Sequence, residues 1–285
     1  MSQSTSSARA LSRRELLGAA AGLSALGLTG CAPRGAGGTS TGLAGASTPL
    51  APLRLRPSAA RGHADHGWLD TYHTFSFANY RDPAHERFGP LRVINQDRVT
   101  PGRGFPMHGH RDMEIVSYVL AGEMAHEDTM GNGSVIRPGD VQLMSAGRGV
   151  RHSEFNASDA GGLHFLQMWV LPARSGGEPR YEQRAFSRAE RTGRLRQVVS
   201  PDGQDGSLTI GQDARLFAGL FRSGDAASHV LSGGRGAWLH VASGSLRAQG
   251  QLLGPGDGAA LTGAGRVELE GVGDAEFVLW DVPHA

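Results

Sequence analysis

Short apolar segments, each closed by turn residues, recur from Leu53 to the end of this chain and leave no room for a helical domain. Leu91-Arg92-Val93-Ile94-Asn95, Glu114 to Leu120, Val141 to Met144 and His164 to Leu171 read as strands. The last is apolar enough to be buried on both faces and stops at Pro172. Ala121-Gly122, Arg137-Pro138-Gly139-Asp140 and Ser145-Ala146-Gly147 read as the turns between them. The 43 glycines among 285 residues supply those turns. The fold class this pattern predicts is all-β, a barrel or sandwich of short strands.

The pattern repeats. Ala237 to Val241 is followed by a Ser243-Gly244 turn, a second short strand at Ser245 to Ala248, and then Leu253-Gly254-Pro255-Gly256-Asp257. The order strand, turn, strand, Pro-Gly-Asp is that of the first half, which predicts an internal duplication of one barrel. Ala173 to Pro179 is the break between the halves, giving an N-terminal domain over 53–173 and a C-terminal one over 174–285.

The chemistry concentrates in the first half. His108-Gly109-His110 is a His-x-His pair, and on a strand two such residues face one side about 7 Å apart. His152-Ser153-Glu154 repeats that spacing 44 residues later, with a carboxylate as its second member. Two such strands side by side bring three imidazoles and one carboxylate to one point. That donor set suits a divalent first-row ion such as iron, nickel, copper, manganese or zinc. An octahedral ion so held keeps two positions for substrate and O2 or water. Glu114 is the rival carboxylate, but on a straight strand it stands about 13 Å from His110. Glu154 is therefore the expected ligand, with Glu114 and Asp112 expected as supporting or turn residues. His126 and His164 have no partner at ligand spacing and read as structural. His229, His240 and His284 in the second half form no such pair, so no metal is expected there.

The first fifty residues read as an address. Ser12-Arg13-Arg14-Glu15-Leu16-Leu17 is a twin-arginine pattern, and the apolar run from Leu16 to Leu28 is too short to span a bilayer as a helix. It ends in Leu28-Thr29-Gly30-Cys31, which resembles a bacterial lipobox with Cys31 as the lipid-bearing residue. Residues 1–31 are thus expected to be a twin-arginine lipoprotein signal, and 32–52 a flexible Gly/Ser/Ala/Pro linker. The mature protein would be exported folded and held on a membrane facing the periplasm or the cell exterior. Cys31 is the sole cysteine, which excludes an intramolecular disulfide and a thiolate zinc cluster. All basic residues are arginine, yet acidic residues nearly balance them, so no nucleic-acid partner is expected. The expected state is a monomer.

Several segments together resemble the pirin family: His63 to Trp68, Thr74-Phe75-Ser76-Phe77, Leu91 to Asp97, His108 to Glu114, Met130 to Gly133, Met144 to Gly147 and Arg151 to Asn156. The resemblance runs from about 55 to 285. It implies a bicupin, two double-stranded β-helix barrels with metal, usually Fe(II), in the N-terminal one alone. It carries the ligand roles onto His108, His110, His152 and Glu154 and implies that the later Glu, not Glu114, binds. Some bacterial pirins are quercetin 2,3-dioxygenases, so the implied function is opening of a flavonol-like substrate with O2, with Glu154 as catalytic base. Phe105, Met107 and Phe155 are candidate pocket walls. The alternative is a non-catalytic metal-binding or redox-sensing module.

Overall fold

The computed structural model describes residues 49–284; the leader and Cys31 lie outside them. Four sheets pair into two barrels. In the first barrel a seven-stranded sheet runs, in spatial order, through Arg180–Ala185, Asp140–Ser145, Glu114–Ala121, Leu163–Val170, Leu91–Val99, Leu69–His73 and Gly62–Asp65. A four-stranded sheet of Gly104–His110, Val150–Asn156, Met124–Asp128 and Gly133–Ile136 closes it. The second barrel repeats this with a seven-stranded sheet centred on Arg235–Ser243 and Ala275–Pro283 and a four-stranded one centred on Gly265–Gly271. All strand pairs are antiparallel except Arg196–Ser200 with Leu208–Thr209. The all-β bicupin expected from the sequence is therefore present. Among the described residues no helix is long and apolar enough to cross a membrane.

The two large sheets face each other, and strand alternation sorts their residues. Along Leu163–Val170, Leu166 and Met168 join the core between the barrels, while Leu163 and Phe165 fill the first barrel. Along Arg235–Ser243, Trp238 and Ala242 join the shared core, while Ala237, Leu239 and Val241 fill the second barrel. Burial on both faces explains why these strands read as unbroken apolar runs.

The duplicated Pro-Gly-Asp segments fold alike. Asp140 N–H donates to Arg137 O and Asp257 N–H to Gly254 O, closing two four-residue turns. Proline holds the second position and a left-handed glycine the third, Gly139 at φ +94° and Gly256 at φ +81°. Each aspartate then accepts the N–H that opens its own turn.

Sheet membership does not follow the expected boundary at 173/174. Arg180–Ala185 returns to the first barrel and pairs with Asp140–Ser145, while Arg54–Arg56 crosses to the second barrel and pairs with Gly258–Thr262. Nor does the expected linker extend to 52. Pro49 bridges to Ala264, Ala51 N–H donates to Thr262 O, and Leu50 packs against the second core. Apolar Leu50 and Leu53 are the physical reason: they bury against that barrel.

Candidate metal centre

The strand Gly104–His110 carries a bulge. His152 pairs directly with His108, but Glu154 pairs with Phe105, so one extra residue is inserted around Pro106. Proline suits that place because it has no N–H to leave unpaired. The bulge resets the alternation, so that Phe105 and His108 both line the interior while Met107 is exposed. The Pro106 carbonyl accepts the His108 Nδ1–H at 2.8 Å, which leaves the lone pair on Nε2.

Ring centroids of His108, His110 and His152 lie 4.5–4.9 Å apart. Ligating atoms of the three fall within 4.8 Å of one another. His110 Nε2 and both ring nitrogens of His152 are buried without a hydrogen-bond partner. Burial drives His152 down to about 2, helped by the neighbouring His108, His110 and His126. Burial, with His108 beside it, drives His110 to about 4. These rings stay neutral above those values, presenting lone pairs that no protein group uses.

Glu154 follows on the same strand, within 4.8 Å of a His152 nitrogen. Its carboxyl is held from behind: Ser117 Oγ donates to Oε1 at 3.2 Å and Gln167 Nε2 to both oxygens at 3.1 Å. Trp169 Nε1 donates to Gln167 Oε1, which fixes the direction of the Gln167 amide. Burial raises the Glu154 carboxyl to about 7 against the pull of its donors. Of the residues chosen from sequence spacing, the three imidazoles form one group, while the Glu154 carboxyl groups with His152 and His126.

Asp112 and Glu114 do not join them. Asp112 takes φ +49° at the corner after His110, and its Oδ1 accepts Gly176 N–H. That corner ends one sheet and begins another. Glu114 shares the outward face of its strand with Val116 and Tyr118, and its carboxyl accepts from Ser145 Oγ and Gly211 N–H. Phe155 and Met107, candidate pocket walls by sequence, are exposed; Phe105 does line the cavity. His126 lies nearer the site than its isolation in sequence suggested, 5.4 Å from the His152 ring. Both its nitrogens are used, however. Nε2 faces Asp128 at 3.3 Å and Nδ1 accepts from Gln142 Nε2 at 3.0 Å, so it orients rather than donates a lone pair.

Sequence spacing did not reveal the polar row opposite the histidines. Gln183, Gln142, Ser117, Gln167, Asn95 and His73 are successive cross-strand partners, one per strand across the large sheet. Ser117, Gln142 and Gln167 sit amid apolar neighbours in their strands and supply the hydrogen bonds to Glu154 and His126. A cavity of about 320 Å³ separates this sheet from the histidines, at the low end for a small-molecule pocket. Leu69, Phe77, Phe105 and Trp169 give it apolar walls.

A pirin model matches residues 54–170, and a model described as the quercetinase C-terminal cupin domain matches 197–282. An Escherichia coli K12 quercetin 2,3-dioxygenase is 43% identical over 231 residues, which is 81% of this chain and 99% of the relative. The chain belongs to the pirin family. A Caulobacter vibrioides pirin-like protein is 37% identical over 79% of this pirin and 97% of its own length. The solved Escherichia coli pirin YhhW in complex with nickel(II) superposes with a TM-score of 0.78 at 41% identity, covering 82% of this pirin and all of that chain. That relative holds nickel(II), and the partnerless imidazoles here have the chemistry to hold a divalent ion.

Proposed function

We propose that this pirin is a metal-dependent dioxygenase resembling quercetin 2,3-dioxygenase, which opens a flavonol-like aromatic with O2. The observation that carries this reading is the set of neutral, partnerless imidazoles at one side of an apolar-walled cavity, with a buried carboxyl beside them. His108 Nε2, His110, His152 and Glu154 would hold one divalent ion, with Fe(II) and nickel the leading candidates. When bound, that ion supplies a Lewis acid for the substrate's hydroxyl and a redox centre for O2.

The chain's own groups do the rest. Glu154 is the base that takes the proton of the substrate's chelating hydroxyl. Ser117 and Gln167 keep its carboxyl directed into the cavity. Trp169 packs edge-on against both His110 and Phe77, and with Leu69 and Phe105 it keeps water from the reacting face. O2 adds to the ring, two carbon–carbon bonds break, and the excised carbon leaves as CO.

The test is to load the purified domain with Fe(II), Ni(II), Mn(II), Cu(II) or Zn(II) and add quercetin under air. Loss of flavonol absorbance with matching O2 uptake and CO release supports the enzyme. Tight binding of one metal with no turnover by any supports the metal-binding or redox-sensing module. His108→Ala should lose both metal and turnover; turnover without metal would overturn the ligand assignment.

The sequence features at 12–31 support export by the twin-arginine route, anchoring through Cys31 and action outside the cytoplasm. We further infer a monomer, to be checked by light scattering of the domain lacking its leader.

A further inference from the structure

Two kinds of unpartnered atom face the cavity. One kind is imidazole nitrogen. The other is Asp97 Oδ1, buried and without a hydrogen-bond partner. Several other cavity-lining polar groups are committed to one another. His73 Nδ1 donates to Asn95 Oδ1 at 2.9 Å, and Gln167 spans Trp169 and Glu154. The Thr71 hydroxyl hydrogen-bonds this carboxyl, but Oδ1 is left without a donor, which is costly for a buried carboxylate oxygen, so its place calls for a second donor.

Its position is set by register. Asp97 pairs with Thr71 on one side and Phe165 on the other. The next rung toward Trp169 is His73, Asn95 and Gln167, the level at which Glu154 is held. The next rung away is Leu69, Val99 and Leu163, an apolar floor. Asp97 thus stands one pleat, about 7 Å, deeper than the row that holds Glu154. The only polar side chain beside it on its rung is Thr71, which favours its ionised form, and Asp70 opposes that. No cation is among the groups acting on it.

Resting on the flavonol reading above, we infer that Asp97 is a substrate-recognition residue. It accepts a hydrogen bond from a hydroxyl remote from the edge that meets the histidines. The ligand class this selects is a flat aromatic with a chelating hydroxyl at one edge and a second hydroxyl about one pleat away. A ligand lacking the second hydroxyl leaves that oxygen unpaired in an apolar setting, and discrimination on that basis is steep.

The test compares quercetin with 3-hydroxyflavone, which lacks remote hydroxyls. Binding to the metal-loaded protein is titrated by absorbance under nitrogen, so no turnover is needed. Asp97→Asn and Asp97→Leu are compared with wild type, with metal content and far-ultraviolet circular dichroism as controls for folding. The expected result is that wild type prefers quercetin. Asp97→Leu should weaken quercetin binding about 10–100-fold, with 3-hydroxyflavone and metal content unchanged. Asp97→Asn, which keeps one oxygen, should lose less. If both flavonols weaken equally, or neither does, the recognition role is overturned while the flavonol reading stands. If wild type binds neither flavonol, the flavonol reading fails and the inference falls with it.

Discussion

A recognition carboxylate buried without a cation should destabilise the fold it serves, and Asp97→Asn measures by how much. Burial raises the Asp97 carboxyl from 3.8 to about 7, against the help of Thr71. Below the lower value both folded and unfolded chains hold the proton, and the group's favourable contribution is fully present. As pH rises, the unfolded chain releases its proton first, and the folded chain keeps its own until about 7. Stability therefore falls across that interval by roughly 1.4 kcal/mol per pH unit, about 4 kcal/mol in all, of which about 3 lies between pH 5 and 8. Asparagine has the same shape and no proton to lose. Its amide must still be buried, at a cost of about 1 kcal/mol. The variant should then match wild type near pH 5 and exceed it by about 3 kcal/mol at pH 8. In a chain of this size that is a rise in Tm on the order of 10 °C. Urea titrations of both proteins in chelator at pH 5, 6, 7 and 8 give the curves. Two parallel curves would refute the reasoning, since they would mean that the carboxyl ionises alike in both states. The substitution that stabilises the protein is the one expected to impair selection of its substrate, which separates a recognition role from a structural one.

Gln167→Leu removes the amide that donates to both Glu154 oxygens, and metal affinity, read by competition with a chromophoric chelator, should fall about 10–100-fold with the fold retained. Gly122 and Gly244 occupy matching turns in the two barrels at φ +78° and +69°, and an added Cβ would stand 2.5 Å from Gly162 O and 1.5 Å from Asp274 O. Alanine at either should destabilise by roughly 2–4 kcal/mol in urea titration, against about 1 kcal/mol at Gly250, where φ is +77° but the space is open. Cys31→Ser should move the full-length protein from the membrane to the soluble fraction on cell fractionation; unchanged membrane association would count against lipidation at that residue.

The polar row shows why part of this site was legible in the sequence and part was not. Period two along one strand is a local property, so His108 with His110 and His152 with Glu154 could be read as pairs without knowing the fold. The same rule misplaces residues wherever alternation is interrupted. The bulge at Pro106 turns Phe105 inward and leaves Met107 exposed, and the left-handed corner at Asp112 puts Glu114 on an outward face of another sheet. Neither interruption has a length or a hydrophobic signature that a periodicity count detects. The row itself is a property of register between strands, not along them. Ser117, Gln142 and Gln167 each stand out as a polar residue inside an apolar strand, Glu114 to Leu120, Val141 to Met144 and His164 to Leu171. Such a residue marks a buried hydrogen-bond partner to be found. What the chain order withholds is that the three are cross-strand neighbours and that their partners are Glu154 and His126. Asp97 escaped notice for the same reason. In Asn95-Gln96-Asp97 three polar residues follow one another, so polarity does not mark which face is which; the pleat sends Gln96 toward Ala242 of the second barrel while Asn95 and Asp97 face the cavity. The ligands are therefore read along strands, whereas the groups that orient them and select what they meet are read across strands.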